Sequence, residues 1–325
     1  MPKKKNDLSQ RLEAVIKTLV PQQEQNPDDL GPMMRAIKAV HSISDHTSTT
    51  PEDLERQRAG QELFARLVTP SIGIRNDSLT VGNIPAEWIS LEHGHDRRHA
   101  VLYCHGGGYT CGQLGYARIL ASKLALATGF DVLSFEYRLA PEHPFPAAIE
   151  DALAVWDYLM YMGYGARDVI VAGDSAGGNL ALELALKLKE QGRAQPRGLL
   201  LFSPWTDMTA SGKSYKSCKA LDPMLTYEYI EAVRAAYTGP DADWAKPCYS
   251  PLFADLRGLP PTLVQVGTNE ILRSDSERLV EAIHRAGGYA VLEVYAECWH
   301  VFQQMPIHRA VAAMESAGRF VQRMM

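Results

Sequence analysis

Residues 171–188, VAGDSAGGNLALELALKL, place a serine between glycines at the point where an apolar strand should turn into a helix. Residues 169–171 are apolar and β-branched, and residues 180–188 carry apolar side chains at helical spacing. The corner has the pattern Gly-x-Ser-x-Gly, in which small residues allow a turn sharp enough to expose the hydroxyl of Ser175. The same short pattern also occurs in ordinary strand-to-helix turns, so the rest of the chain has to decide its meaning.

The composition excludes several classes of protein. The chain has 325 residues, of which 46% are hydrophobic and 22% charged, as in an ordinary globular protein. Its net charge of −5 gives no reason to expect nucleic acid or an anionic membrane as a partner. Five scattered cysteines form no CxxC pair, so we expect neither a disulfide framework nor a metal site. No signal peptide or membrane span is evident, which predicts a cytoplasmic protein.

The chain divides into a helical first part and an α/β remainder. Within residues 1–65, apolar positions recur at helical spacing in 8–20, 32–43 and from 50 onward, with Thr50 as an N-cap before Pro51. Segments 72–81 and 84–92 then suit an antiparallel pair of strands.

Beyond residue 92, strands and helices alternate. The predicted strands are 100–104, 131–137, 168–173, 198–205, 262–267 and 290–295. The predicted helices are 115–128, 147–163, the segment after Ser175, 274–287 and the chain from about 306, with an irregular stretch at 206–260. Uninterrupted apolar strands in this order predict a mainly parallel sheet covered by helices on both faces. Functional residues are then expected just after strands, at their carboxyl ends.

The segment YCHGGGY, residues 103–109, follows one of these strands. Three glycines allow the backbone to approach a ligand and to direct amide N–H groups at it. Such donors suit the negative oxygen that forms when a carbonyl is attacked. A plain turn or a phosphate cradle would also use glycines, but no P-loop pattern follows. His105 precedes the glycines and is interpreted as a residue that braces the loop.

A serine nucleophile needs a base, and in the order Ser, acid, His the base must follow residue 175. The candidates are His284, His300 and His308. His284 lies within a predicted amphipathic helix, and His308 lies at the start of the last helix. His300 lies in a loop directly after the strand 290–295, which favours His300 as the base.

The acid should orient the imidazole and stabilise its charged form. Asp207, Glu270 and Asp275 all follow strands. Asp207 could begin a turn, and Asp275 could cap the next helix together with Ser274. Glu270 has no local structural role of this kind, so we prefer it and keep the two aspartates as alternatives.

The motifs taken together resemble a known family. HGGG, YRLAPEHPFPAAIED, GDSAGGNLA, SPWTDMT, DPML and WHVF occur in this order between residues 105 and 302. They are similar to the motifs of the hormone-sensitive-lipase-like branch of the α/β-hydrolases, in particular bacterial esterases and lactone hydrolases. The resemblance implies an α/β-hydrolase fold with a helical cap, made of residues 1–65 and an insertion at about 207–245 in a catalytic domain of 66–325.

The resemblance also implies roles for individual residues. Ser175 matches the nucleophile, His300 the base and Glu270 the acid, where the family more often has aspartate. Gly107, Gly108 and the backbone N–H of Ala176 match the oxyanion donors. We therefore expect a carboxylesterase that acts on short- to medium-chain esters or small lactones through an acyl-enzyme, with no cofactor and no metal. A binding protein of the same fold and an amidase are the alternatives, and the oligomeric state is left open between a monomer and a homodimer.

Overall fold

The computed structural model describes residues 30–31, 33–35, 37–38, 48–68, 73–94 and 96–325. The predicted helix at 8–20 therefore lies outside the described residues, and the one at 32–43 is described in part, with helical geometry at 31, 33–35, 37 and 38.

Eight strands form one sheet. They are β1 (Ile74–Val81), β2 (Ile84–Leu91), β3 (Asp96–Cys104), β4 (Phe130–Phe135), β5 (Val169–Asp174), β6 (Gly198–Phe202), β7 (Thr262–Gly267) and β8 (Ala290–Tyr295). Their order in space is β1–β2–β4–β3–β5–β6–β7–β8. β1 pairs antiparallel with β2, β2 pairs antiparallel with β4, and the other neighbours are parallel. The predicted antiparallel pair and the mainly parallel sheet are both confirmed.

The described α-helices alternate with the strands. They are α1 (Pro51–Val68), α2 (Leu114–Thr128), α3 (Ala147–Tyr161), α4 (Ala176–Glu190), α5 (Ser214–Ser217), α6 (Tyr227–Thr238), α7 (Arg273–Arg285) and α8 (His308–Gln322). α1 begins as expected, because the Thr50 hydroxyl accepts a hydrogen bond from the Asp53 N–H. The domain boundary expected at residue 65 falls inside this helix.

The central strands are buried on both faces, which explains their uninterrupted apolar sequences. All residues of β5, β6 and β7 are buried. Along β5, Val169 and Val171 pack into the core under α3, α4 and α7, whereas Ile170 and Ala172 pack into the core under α2 and α8. The period-two alternation of strand side chains thus supplies two cores from one apolar run.

The stretch at 206–260 was expected to be irregular, but part of it has regular structure. It contains α6, whose N-terminus is capped by the Thr226 hydroxyl, 3.1 Å from the Tyr229 N–H. Ile230, Val233 and Tyr237 are buried along one side of this helix. The spacing of three and four residues was a readable helical signal, and the surrounding glycines and prolines obscured it.

Candidate active site

Ser175 occupies the corner between β5 and α4 in a left-handed backbone conformation, with φ 55° and ψ −122°. Its own N–H donates to the Phe202 carbonyl at 2.9 Å. The flanking glycines are required by close packing. A Cβ on Gly173 would lie 2.1 Å from the carbonyl oxygen of Gly177, and a Cβ on Gly177 would lie 2.1 Å from that of Cys104. The sharp turn inferred from the motif is therefore the turn that the structure contains.

His300 lies in the loop between β8 and α8, as the sequence analysis expected of a base. Its Nε2 atom is 2.9 Å from the Oγ of Ser175, and its Nδ1 atom is 3.3 Å from Oε2 of Glu270. With the Nδ1 proton directed at the carboxylate, Nε2 is free to accept the proton of the serine hydroxyl. The three residues thus form a continuous chain from hydroxyl to imidazole to carboxylate.

Glu270 is completely buried after the end of β7. Oε1 of its carboxylate accepts hydrogen bonds from the Gly267 N–H and from the hydroxyl of Ser203, the latter at 2.8 Å. The other oxygen, Oε2, faces His300. Both oxygens of the carboxylate are therefore held, which orients it toward the imidazole.

The two alternative acids lie elsewhere. Asp207 begins a turn, as considered from the sequence, and its carboxylate accepts from Thr209, Ser211 and the Arg278 guanidinium. Asp275 does not cap α7, so that expectation was wrong. Its Oδ2 atom instead accepts from the N–H groups of Thr206 and Asp207, each at 3.0 Å. Burial raises the pKa of the Asp275 carboxyl well above its ordinary value.

The other two histidines considered as bases have different surroundings. His284 forms a hydrogen bond with the Ala290 carbonyl at 2.8 Å through Nε2, where β8 begins. His308 is exposed at the first turn of α8. Neither has a hydrogen bond to Ser175 within the described part of the chain.

The glycine loop after β3 turns through two left-handed residues, Gly107 with φ 118° and Gly108 with φ 64°. A Cβ on Gly107 would lie 2.4 Å from the Cys111 carbonyl oxygen, so no other residue fits. The backbone hydrogen bonds of the described residues include none donated by the Gly107 or Gly108 N–H. Ala176 is the first residue of α4, where an N–H has no partner within the helix.

Polar groups beneath this loop hold it in place. Asp174, which precedes Ser175, accepts from the Gly106 N–H at 2.9 Å and from the Tyr103 hydroxyl. Burial raises the pKa of Asp174 to about 6. His105 stacks on Tyr137 at 4.2 Å, and its Nδ1 bonds to the Gly106 carbonyl, as expected for a brace. Burial lowers the pKa of His105 to about 4.

Two residues of the site were missed from the sequence. Ser203, just after β6, contacts Glu270, and Asp222 accepts from the N–H of Ile271, the residue that follows Glu270, at 2.9 Å. Asp222 also accepts from Met224 and Leu225, and burial raises its pKa to about 6. The motifs SPWTDMT and DPML contain both residues, but nothing in the linear pattern says which loop they reach.

The described residues contain no group of three or more His, Cys, Asp or Glu side chains arranged to hold a metal ion. Among the described helices, none combines the length and the apolar character that a membrane span needs.

Comparison with known proteins agrees with this architecture. Residues 101–304 match the family described as having the alpha/beta hydrolase fold. An acetyl-hydrolase from Streptomyces hygroscopicus is 34% identical over 89% of this chain and 96% of its own length. An esterase from Acinetobacter venetianus is 41% identical over 62% of this chain and 67% of its own.

A solved structure, an esterase from the bacterial hormone-sensitive lipase family, superposes with a TM-score of 0.83 at 34% identity, over 90% of this chain and 98% of that one. The matched fold and site define a class, the α/β-hydrolases, and this chain belongs to that family in its hormone-sensitive-lipase-like branch. The resemblance read from the motifs is confirmed.

Proposed function

We propose that this chain is a serine carboxylester hydrolase in which Ser175 is the nucleophile, His300 the base and Glu270 the acid. The observation that carries the proposal is the 2.9 Å contact between Ser175 Oγ and His300 Nε2 at a left-handed strand-to-helix corner. The relatives named esterase and acetyl-hydrolase support the same reaction class.

The proposed reaction is acyl transfer to water. As the Ser175 oxygen bonds to the ester carbonyl carbon, His300 takes the hydroxyl proton, and Glu270 stabilises the resulting imidazolium. The N–H groups of Gly107, Gly108 and Ala176 stabilise the oxyanion. The C–O bond to the alcohol breaks as His300 returns the proton to the leaving oxygen. Water then attacks the carbonyl carbon of the acyl-enzyme while His300 takes its proton. The carboxylic acid product is released as His300 returns the proton to the Ser175 oxygen.

We propose short- to medium-chain esters or small lactones as substrates, with residues 1–65 and about 207–245 as the cap of a catalytic domain spanning 66–325. Two contacts support this cap. Met33, Met34 and Met224 pack against the apolar cluster that contains Trp299, the neighbour of His300. Tyr229 of α6 lies over the glycine loop, where its hydroxyl would be 2.7 Å from a Cβ on Gly108. Thioether side chains adapt to ligands of different shape, so we expect a gradual limit on acyl length.

Hydrolysis of p-nitrophenyl esters from C2 to C12, alongside several lactones and amides, tests the proposal. We expect kcat/KM to peak below about ten acyl carbons, because each added methylene must find room before it gains transfer free energy of about 0.8 kcal/mol. Ser175→Ala should remain folded and lose several powers of ten in kcat. An organophosphonate should label Ser175, and labelling of another serine would contradict the assignment.

The same experiment separates the alternatives. If the chain is a binding protein of this fold, any hydrolysis of these compounds should be unchanged in Ser175→Ala. If it is an amidase, it should hydrolyse the amides faster than the esters. We further propose a cytoplasmic protein. The net charge of −5 supports the proposal that it does not bind nucleic acid. Size-exclusion chromatography with light scattering decides between a monomer and a homodimer.

A further inference from the structure

Ser203 contacts both loops that supply the acid and the base. It is completely buried just after the end of β6, and its hydroxyl oxygen lies 2.8 Å from Oε1 of Glu270. The same oxygen lies 3.2 Å from the N–H of Val301, the residue that follows His300. One hydroxyl therefore joins the acid after β7 to the base after β8.

The direction of the hydroxyl proton follows from these two partners. The Val301 N–H can only donate, so the Ser203 oxygen is its acceptor. The proton of Ser203 is then free to be donated to the Glu270 carboxylate. A hydrogen bond to an ionised group is stronger than one between neutral groups, particularly where water is excluded.

The backbone of Ser203 is held in the conformation that this contact requires. Its φ of 46° is left-handed, which costs free energy for a residue with a Cβ, and its N–H donates to the Gln265 carbonyl at 2.8 Å. Val301 is also left-handed, with φ 49°. Ser203 and Val301 are therefore both strained and share one buried hydrogen bond. Such strain persists only where the surrounding structure stabilises it.

We propose that Ser203 is a positioning residue for ester hydrolysis that acts through Glu270. Its hydroxyl and the Gly267 N–H hold Oε1, so that Oε2 remains directed at Nδ1 of His300. Without the hydroxyl, the carboxylate can rotate away from the imidazole. This inference rests on the proposed function, because it assumes that Glu270 is the acid of the reaction.

Two variants of Ser203 and a double-mutant cycle test the proposal. Ser203→Ala removes the hydroxyl, and Ser203→Gly removes it while also relieving the left-handed strain. Each is compared with Ser134→Ala, which removes a buried hydroxyl that has no hydrogen-bond partner among the described residues. The cycle combines Ser203→Ala with Glu270→Gln. All variants are checked for folding by thermal unfolding before kcat and KM are measured.

We expect both Ser203 variants to lose roughly tenfold to a hundredfold in kcat, with KM changed less than about threefold, since each removes a hydroxyl that donates to a charged carboxylate. Ser134→Ala should keep its kcat. In the Glu270→Gln background, the loss from Ser203→Ala should shrink to less than about threefold, because the carboxylate it positions is gone. If the two losses multiply, or if Ser203→Gly recovers the wild-type kcat, the proposal is wrong.

Failure of this inference can be told from failure of the proposed function. If Ser175→Ala does not reduce turnover, the proposed function fails. If Ser175→Ala and Glu270→Gln both reduce kcat while folded Ser203→Ala does not, only the role of Ser203 is overturned.

Discussion

Glu270 and Asp275 are five residues apart and both completely buried, yet only Glu270 reaches the imidazole. Glu270 lies in the loop after β7, where its side chain extends toward the loop that carries His300. Asp275 lies in the first turn of α7 and faces the chain that follows β6, where it accepts from two backbone N–H groups. At the scale of single residues, the direction in which a side chain leaves its element separates the proposed catalytic carboxylate from a structural one.

This difference predicts opposite effects of two similar substitutions. Glu270→Gln should lower kcat by at least about a hundredfold, because a neutral amide neither stabilises imidazolium nor favours the required tautomer. Asp275→Asn should keep kcat within about threefold, since the amide oxygen still accepts from Thr206 and Asp207. Asp275→Ala leaves both N–H groups unpaired and should cost about 2 kcal/mol or more of stability. Steady-state kinetics and denaturant unfolding measure the two effects, and a kinetic loss that follows Asp275 would identify it as the acid.

At the scale of elements, α4 joins Ser175, the proposed nucleophile, to the core and carries a buried carboxyl group. Its first residues form the corner after Ser175, and the apolar side chains from Leu180 to Leu188 are buried except that of Leu186. Glu183 is also buried, and its Oε1 has no hydrogen-bond partner among the described residues. Burial raises the pKa of Glu183 from 4.5 to about 8, although the nearby Lys187 charge lowers it.

Glu183 therefore predicts a dependence of stability on pH. Because the pKa in the folded state is raised, the folded protein binds the proton more tightly than the unfolded chain does. The free energy of unfolding should then decrease as pH rises from about 4.5 to about 8. Glu183→Gln removes this titration. At pH 8.5 the free energy of unfolding of the variant should therefore exceed that of the wild type by several kcal/mol, and the difference should narrow toward pH 5. Urea unfolding across this range measures it.

Exposed Glu55 of α1 is not among the charges that act on Glu183, so Glu55→Gln provides the control for the loss of one negative charge. A parallel change in the free energy of unfolding of the Glu183 and Glu55 variants with pH would show that burial of Glu183 is not the cause.

At the scale of the whole molecule, one arginine connects the N-terminal part to the glycine loop. Arg58 of α1 donates through Nε to the Thr110 carbonyl at 2.9 Å and pairs with Glu142 at 2.8 Å. Thr110 in turn donates its N–H to the Gly107 carbonyl. The proposed cap is thus hydrogen-bonded to the loop that carries the proposed oxyanion donors, over a separation of 52 residues in sequence.

We expect Arg58→Ala to lower both stability and kcat/KM, because it leaves the Thr110 carbonyl without its donor and frees the loop to move. The loss in stability should be about 1–2 kcal/mol, since the half-exposed pair with Glu142 contributes little. Arg56→Ala is the matched control: Arg56 lies in the same helix, and its pair with Asp53 leaves its side chain 63% exposed. Equal effects of the two substitutions on kcat/KM would overturn the role of Arg58.

Much of the fold and part of the candidate site could be predicted from the linear sequence, because the responsible interactions are local. The Gly-x-Ser-x-Gly corner depends on neighbours within a few residues, and apolar runs mark the buried strands wherever they pair. His300 could be singled out since it directly follows a strand. Ser175 and His300 each follow a strand, so the sequence could place both residues at the same edge of a parallel sheet.

Only the tertiary structure decided which polar side chains meet at that edge. Ser203 and Glu270 are 67 residues apart, and Ser175 and His300 are 125 apart. The loops after β6, β7 and β8 become neighbours only when those strands pair. The sequence could not show that Asp275 is not a helix cap, because its Oδ2 atom accepts from backbone N–H groups of a different loop. Local patterning determines each element, whereas a buried hydrogen bond depends on two elements at once.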